Sequence, residues 1–192
     1  MGSCPQDRPP PASSPGGRWC HTFNTSNLRL ADPGQDHREI GPTPTIFTTL
    51  LGVARAAGAA PELARIILGL QRDLFVVAAD LACNPRQRQR LRPRVSLVVA
   101  EMVGELERIV DSVVAEHPLR PVFVVPGATL VSATLDLART VVRRAERQAV
   151  QVQLAHGTVN PQVITYLNRA SDLIYVLARW AASGSEEPAS RL

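Results

Sequence analysis

Apolar residues recur at intervals of three and four positions along most of the chain after Thr45, which is the pattern of amphipathic α-helices. Proline and glycine interrupt this pattern repeatedly, so it predicts several separate helices rather than one long coiled coil. The sequence therefore predicts an all-α fold, a five-helix bundle. The helices are expected at about residues 45–57, 61–82, 94–117, 128–155 and 161–183.

The first 44 residues have a different character, because they are rich in Pro, Gly, Ser, Asn and Asp and show no sustained periodicity. Such a segment buries too little apolar surface to offset the entropy lost on ordering. We therefore expect residues 1–44 to be disordered, residues 45–183 to form one helical domain and residues 184–192 to be a flexible tail. A length of 192 residues suits a single domain of this kind.

All basic residues are arginines, and the formal net charge is +4. Five of them (Arg86, Arg88, Arg90, Arg92 and Arg94) alternate along a proline-bounded loop. No aromatic residues are interleaved there to stack on bases, so a solvated connection is favoured over a nucleic-acid site. No apolar run approaches the roughly eighteen residues needed to span a bilayer, and three scattered cysteines indicate neither disulfides nor zinc. We expect a soluble cytoplasmic protein that binds neither nucleic acid nor membrane.

Polar residues form two stripes on the last two predicted helices, each with a spacing of three and four that places its members on one helix face. The stripe on the fourth helix consists of Ser132, Asp136, Arg139, Arg143 and Glu146, and that on the fifth of Asn168, Asp172, Tyr175 and Arg179. The stripes are compatible with outward faces or ion networks between packed helices. Alternatively, the two helices lie side by side and enclose a polar site.

The fourth helix also concentrates positive charge, with Arg139, Arg143, Arg144 and Arg147 within a few turns. These guanidinium groups repel one another unless carboxylates or a polyanion compensate, and the acidic residues of the same helix compensate only in part. Arginine offers a planar fork of donors that matches phosphate oxygens. An anionic ligand, most plausibly a polyphosphate, is therefore the more specific hypothesis.

Several segments resemble, in order and spacing, the signature blocks of PduO-type ATP:cob(I)alamin adenosyltransferases. The specific blocks are 138–147 (Ala-Arg-Thr-Val-Val-Arg-Arg-Ala-Glu-Arg) and 166–172 (Tyr-Leu-Asn-Arg-Ala-Ser-Asp), preceded by 123–127 (Phe-Val-Val-Pro-Gly) and 132–135 (Ser-Ala-Thr-Leu). Weaker similarities lie at 71–75, 79–81, 106–107 and 110–111, so the resemblance covers about residues 51–182.

This resemblance implies a homotrimer of five-helix bundles that binds ATP, with Mg²⁺, between subunits and uses cobalamin as the second substrate. The implied reaction is displacement of triphosphate from the 5′ carbon of ATP by cob(I)alamin, which yields adenosylcobalamin. No general acid or base and no protein-held metal is expected, because Co(I) is already a strong nucleophile that needs only placement and a stabilised leaving group.

The resemblance also assigns roles to individual residues. Arg143, Arg144 and Arg147 would bind the triphosphate, Glu146 would orient these arginines or a Mg²⁺ hydration shell, and Asn168 would hydrogen-bond the nucleotide. Arg139, Asp136 and Asp172, which belong to the two polar stripes, would support the site. Phe123 would press an apolar ring against the corrin, although a core phenylalanine before a turn is the alternative for this residue.

The N-terminal part departs from the family pattern. The phosphate loop Thr-Arg-x-Gly-Asp-x-Gly-Thr-Thr and the helix start Val-Asp-Glu-Leu-Asn are absent, and the helix start is replaced by Pro44–Thr49. The loop would supply donors to the triphosphate, and its Asp would pair with Arg139. Asp136 also replaces a common His, and Ala128 replaces a second Gly. Without the loop, we expect ATP to bind poorly.

A shifted reading frame offers one explanation for the missing loop. If suitable codons are assumed for residues 16–21, translation from the second base of each codon gives Gly-Asp-Gly-Gly-Ala-Thr. One of these glycines follows from the codons of Trp19 and Cys20 alone. The hypothesis for this segment is therefore an N-terminus that is degenerate or mis-framed relative to the family. Two functional hypotheses remain open: an adenosyltransferase impaired at its N-terminus, and a non-catalytic relative that binds corrinoid or nucleotide. A nucleic-acid or scaffold protein using the Arg86–Arg94 loop is the least favoured.

Overall fold

The structure, a computed structural model, describes residues 42–190. Within this range the chain forms five α-helices: α1 Pro42–Ala56, α2 Pro61–Leu81, α3 Ala100–Glu116, α4 Leu130–His156 and α5 Pro161–Ala182. A short 3-10 helix, Pro85–Arg90, follows α2. The described residues contain no β-strand, only two isolated bridges. The predicted all-α five-helix bundle is confirmed. Of residues 1–44, for which disorder was predicted, residues 42–44 begin α1 and the others lie outside the described range.

The helices start and end where local chemistry satisfies their free backbone groups. Thr129 caps α4 by accepting a hydrogen bond from the Ser132 amide, and the Ser132 hydroxyl accepts one from the Thr129 amide in return. Helix α4 ends at Gly157, whose φ of 65° is the left-handed conformation that glycine adopts without strain. Helix α5 starts with the Asn160 side chain as cap and Pro161 in its first turn.

Helix α3 begins later than the periodicity predicted, at Ala100 instead of residue 94, and this part of the helix prediction is wrong. Arg94 has a left-handed backbone with φ of 60°, and its amide donates to the Leu97 carbonyl in a tight turn. The Val98 amide donates to a carboxylate oxygen of Asp80 at 2.9 Å. Because these donors are engaged outside a helical ladder, the apolar positions in 95–98 belong to a loop.

The bundle is built on α5, which packs against α4, α3 and α2, while α1 packs against α4 and α2. One apolar core runs through these contacts. Its largest fully buried side chains include Phe47, Leu51, Ile67, Leu135, Tyr166 and Ile174. None of the described helices is long and apolar enough to cross a membrane.

A buried carboxylate ties the loop after α2 to the start of α5. Asp80 is 2% exposed and accepts from Arg88 Nη2 at 2.7 Å, from the Val98 amide and from Asn160 Nδ2 at 2.8 Å. Arg88 also donates to the Thr158 carbonyl at 2.7 Å. The arginine-rich loop is therefore anchored at Arg88 to the interior of the bundle.

We expected the residues after α5 to be flexible, yet in the structure residues 185–189 are held against the loop before α4. The Val125 amide donates to the Glu187 carbonyl, and the Ala189 amide donates to the Phe123 carbonyl, both at 2.8 Å. Helix α5 ends at Ser183, which adopts a left-handed backbone with φ of 49°. This turn returns the chain toward Phe123.

Candidate functional site

The two polar stripes meet at the seam between α4 and α5, as predicted. Glu146 accepts from Arg143 Nη1 at 2.6 Å with one carboxylate oxygen and from Asn168 Nδ2 at 2.9 Å with the other. The Glu146 side chain is 12% exposed, whereas that of Arg143 is 41% exposed. Glu146 therefore fixes the guanidinium of Arg143 and the amide of Asn168 while Arg143 still reaches the surface.

A second group lies further along the same seam. Asp136 on α4 pairs with Arg179 on α5, with 2.5 Å between Oδ2 and Nη2. The guanidinium carbons of Arg139 and Arg179 lie 4.8 and 5.2 Å from the ring centre of Tyr175, within cation–π range. The Nε atom of Arg139 is buried and has no hydrogen-bond partner among the described residues. Arg139 is thus a cation without a carboxylate partner in this part of the chain.

Not every residue predicted for the site lies in this seam. Asp172 accepts from Arg169 at 2.9 Å, and Arg169 is 3.1 Å from Glu107 on α3, so Asp172 belongs to a separate network. Of the two α5 residues expected near the α4 arginines, Asn168 and Asp172, the structure brings Asn168 to the seam. Arg144 and Arg147 are exposed and make no ion pair within the described residues. They make no ion pair with Glu146 and lie on the exposed surface of α4.

Phe123 is 91% exposed, the highest exposure among the large apolar side chains of the described residues. The alternative that Phe123 is a core residue is therefore wrong. An aromatic ring held in water is unfavourable, since burial of apolar surface stabilises by about 25 cal/mol per Å². The ring of Phe123 therefore lies in solvent on the loop before α4.

Sequence reasoning missed a polar pair formed by Asp73, a half-buried residue that lines a groove between α2 and α3, and the buried Tyr166. The hydroxyl of Tyr166, a fully buried residue, donates to Asp73 Oδ2 at 2.9 Å. The groove has a volume of about 540 Å³ and carries charged side chains on both walls. Burial raises the pKa of Asp73, which the Tyr166 hydrogen bond opposes, and burial raises the pKa of Tyr166 well above its ordinary value.

We expect the variant Asp73→Asn to be more stable than the wild type at pH 7. A carboxyl whose pKa is raised in the folded state contributes stability that is full below its ordinary value of 3.8 and is lost as the pH rises through the raised pKa. Asparagine keeps an acceptor for Tyr166 and carries no charge that burial penalises. Thermal unfolding should show a higher Tm at pH 7 and a difference that vanishes near pH 3.

The variant Tyr166→Phe serves as the control, because it removes the donor and leaves the carboxylate in place. It should lower the stability at pH 7 by about 1 kcal/mol, the typical contribution of one hydrogen bond. If Asp73→Asn lowered the Tm at pH 7, burial would not dominate the energetics of Asp73.

Residues 46–181 match the protein family described as cobalamin adenosyltransferase. The chain belongs to the cobalamin adenosyltransferase family. The corrinoid adenosyltransferase of Mycobacterium leprae is 36% identical over 139 residues, which are 71% of this chain and 73% of the relative. That of Citrobacter freundii is 35% identical over 132 residues, which are 67% of this chain and 71% of the relative.

Solved structures of a PduO-type ATP:corrinoid adenosyltransferase from Lactobacillus reuteri are also similar. A phenylalanine-to-alanine variant complexed with cobalamin and ATP has a TM-score of 0.68 at 25% identity, covering 81% of this chain and 85% of that chain. An arginine-to-lysine variant complexed with ATP has a TM-score of 0.67 at 25% identity, covering 78% of this chain and 82% of that chain. The resemblance drawn from the sequence blocks is thereby confirmed.

The residues that match the family include both helices that form the candidate site. The match to the cobalamin adenosyltransferase family begins at Ile46, within α1, and ends at Ala181, so it contains the whole α4–α5 seam. Residues 1–45 and the tail after α5 lie outside it. The described part of this family member has no group of three or more His, Cys, Asp or Glu residues arranged to hold a metal ion.

Proposed function

We propose that this chain is an ATP:corrinoid adenosyltransferase that transfers the 5′-deoxyadenosyl group of ATP to cob(I)alamin. The observation that carries the proposal is the Arg143–Glu146–Asn168 network on the α4–α5 seam, inside the region that matches the family. In the reaction a bond forms between cobalt and C5′ while the bond between C5′ and the phosphate oxygen breaks. The electron pair of that bond leaves with the triphosphate, and adenosylcobalamin remains.

Arg143 stabilises the leaving triphosphate. Glu146 binds one edge of its guanidinium, so the remaining N–H groups keep a fixed direction toward the surface. Donors that are fixed in advance stabilise developing charge without reorganisation during the reaction. Arg139, Arg144 and Arg147 add positive charge beside Arg143 on α4, and Asn168 presents its amide group to the nucleotide. Asp136 supports the seam through Arg179.

Mg²⁺ arrives bound to ATP. Both oxygens of Glu146 already accept hydrogen bonds, one from Arg143 and one from Asn168, which favours orientation of these side chains as its role over holding a hydrated cation. Phe123, exposed on the loop before α4, lies against the apolar face of the corrin and displaces water from it.

The active assembly is a homotrimer in the cytoplasm. Helices α1 and α4 pack side by side, and both carry exposed apolar side chains, namely Ile46, Val53, Leu130, Leu137 and Leu154. Apolar side chains that remain exposed on two neighbouring helices suit contact with another subunit.

We expect light scattering at micromolar concentration to give three times the chain mass of 20.8 kDa. Long helix faces supply the contacts, so the trimer should persist when residues 1–41 are removed. The variant Leu137→Glu should lower the mass toward that of a monomer by placing a charge in the interface, whereas Val95→Glu, in the loop before α3, should leave it unchanged. A monomeric wild type would contradict the proposed assembly.

The alternative function is corrinoid or nucleotide binding without turnover. One observation favours it: Arg139 has no carboxylate partner in the described residues, and the loop whose Asp would pair with it is absent from the sequence. A relative that only binds would keep the arginines of α4, which contact one side of the triphosphate, but would lack the loop that contacts the other side.

Anaerobic spectroscopy tests the proposal. In a chain supplied with the family's N-terminal loop, and under strong reduction, the absorbance of cob(I)alamin should decay and that of adenosylcobalamin should appear only when Mg-ATP is present, with release of triphosphate. Calorimetric titration with Mg-ATP separates the alternative, because a binding-only protein gives heat of binding without product. A chain that neither binds cobalamin nor forms adenosylcobalamin, even when supplied with the family's N-terminal loop, would contradict both functions.

A further inference from the structure

Residues 120–125, which carry Phe123, are attached to the tail after α5 by three hydrogen bonds. Arg120 Nη1 donates to the Glu186 carbonyl at 3.2 Å, in addition to the two backbone bonds of Val125 and Ala189. Val124 and Pro188 form an antiparallel bridge at the centre of this contact. The backbone on both sides of Phe123 is therefore fixed although its ring is in water.

The tail is in turn anchored by a buried cation. The Glu186 side chain is 5% exposed, and its Oε1 lies 3.1 Å from Nε of Arg179, whose side chain is 10% exposed. This contact is an ion pair at close range without hydrogen-bond geometry. The same guanidinium binds Asp136 at 2.5 Å, and that side chain is 15% exposed. One arginine thus joins a carboxylate of α4 to a carboxylate of the tail. Removing a partner from such a buried pair leaves an uncompensated charge, which is strongly unfavourable.

The contact also links the Phe123 loop to the seam. The guanidinium of Arg179 lies over Tyr175, and Tyr175 is in contact with the guanidinium of Arg139. If the tail served only to cover the core, the loop that it binds would not need to hold the ring of Phe123 in solvent, where it is 91% exposed. A fixed, exposed aromatic ring on a loop that is linked through Arg179 to the arginine-lined seam is instead suited to bind a flat apolar ligand.

We propose that the Arg179–Glu186 pair is a clasp that positions Phe123 against the corrinoid, so that the C-terminal tail is part of the corrinoid site. The inference rests on the proposed function, and it assigns Arg179 and Glu186 as positioning residues outside the phosphate-binding arginines. Glu186 lies beyond the region that matches the family. The clasp lowers the conformational entropy that the loop loses when the ligand binds.

The test uses the full chain with Glu186→Ala, and with Asp111→Ala as the control that removes an exposed carboxylate on α3. Amide hydrogen exchange should become about tenfold faster at Val125 and Ala189 in Glu186→Ala, while amides inside α4 and α5 keep their rates. Anaerobic absorbance titration with cob(II)alamin should give a Kd about tenfold weaker, with Mg-ATP affinity unchanged. Asp111→Ala should match the wild type in both measurements.

A double-mutant cycle separates positioning from general stability. Phe123→Ala should weaken cob(II)alamin binding, and adding Glu186→Ala in that background should weaken it little further, because the clasp acts through Phe123. Glu186→Gln, which keeps the shape of the side chain, provides the same comparison if the alanine variant does not fold. Additive losses in the cycle, or unchanged exchange at Val125 and Ala189, would overturn the inference.

The outcomes also distinguish this inference from the proposed function. Wild-type protein that binds no cobalamin would overturn the proposed function, and the inference with it. Wild-type protein that binds cobalamin with an affinity that Glu186→Ala leaves unchanged would overturn the inference alone.

Discussion

The variant Arg143→Ala should form adenosylcobalamin at least about tenfold more slowly than its parent chain. The parent chain for this measurement carries the family's phosphate loop and helix start in place of the residues before Leu51. Each charge-assisted hydrogen bond from Arg143 to the triphosphate contributes about 1.5–3 kcal/mol, which corresponds to about 10-fold to 150-fold in rate. Arg65→Ala, which removes a guanidinium from an exposed position on α2, is the matched control and should leave the rate unchanged.

The chain with its present N-terminus should show little or no ATP-dependent turnover under the same conditions. The arginines of α4 bind one side of the triphosphate, and the other side lacks the backbone donors of the loop. Full activity of the unmodified chain would show that residues 1–45 replace the loop in another way. A repaired chain that is active and indifferent to Arg143→Ala would show that the phosphate site lies elsewhere.

The variant Asp80→Ala should lower the free energy of unfolding by about 3–5 kcal/mol, because it leaves Arg88 without its buried carboxylate and removes an acceptor from Val98 and Asn160. For a chain of this size the Tm should fall by about 6–20 °C. Glu62→Ala, at the exposed start of α2, is the control and should change the stability by less than about 0.5 kcal/mol. The loss in free energy of unfolding for Asp80→Asn should lie between those for Asp80→Ala and Glu62→Ala, since the amide keeps an acceptor but not the charge.

A loss of less than about 1 kcal/mol in Asp80→Ala would mean that water replaces the carboxylate as partner of these groups. The loop containing Arg88 would then be attached to the bundle mainly by its backbone contacts. Urea unfolding of the three variants and the wild type, followed by circular dichroism, measures all four stabilities on one scale.

Much of the fold was predictable because its signals are local. Asn160 and Pro161 mark the start of α5. The capping pair Thr129 and Ser132 follows Gly127, after which the sequence predicted that α4 begins. The seam was also predictable, since residues three and four apart share a helix face and charged faces of neighbouring helices attract partners. The meeting of Glu146 with Arg143 and Asn168 followed from that spacing.

The remaining features depend on contacts between residues that are distant in sequence. The late start of α3 follows from Asp80, which takes the Val98 amide that a longer helix would have used. Glu186 gave no signal, because two adjacent acids, Glu186 and Glu187, in a Ser- and Gly-containing tail do not reveal which of them has a buried partner. Asp172 has the right spacing for the seam, but Arg169 is a nearer partner one turn away and holds it on the side of α3.

The long-range hydrogen bonds of α5 have a consequence for biosynthesis. Asn160 donates to Asp80 from 80 residues further along the chain, and Tyr166 donates to Asp73 from 93 residues further along. A ribosome therefore releases α2 long before the helix that supplies these donors exists. Until α5 has been made, Asp73 lacks its Tyr166 donor, Asp80 lacks its Asn160 donor, and the part of the α2 apolar face that contacts α5 is uncovered, which exposes the nascent chain to aggregation. Completion of α5 closes the interior of the bundle in one late step.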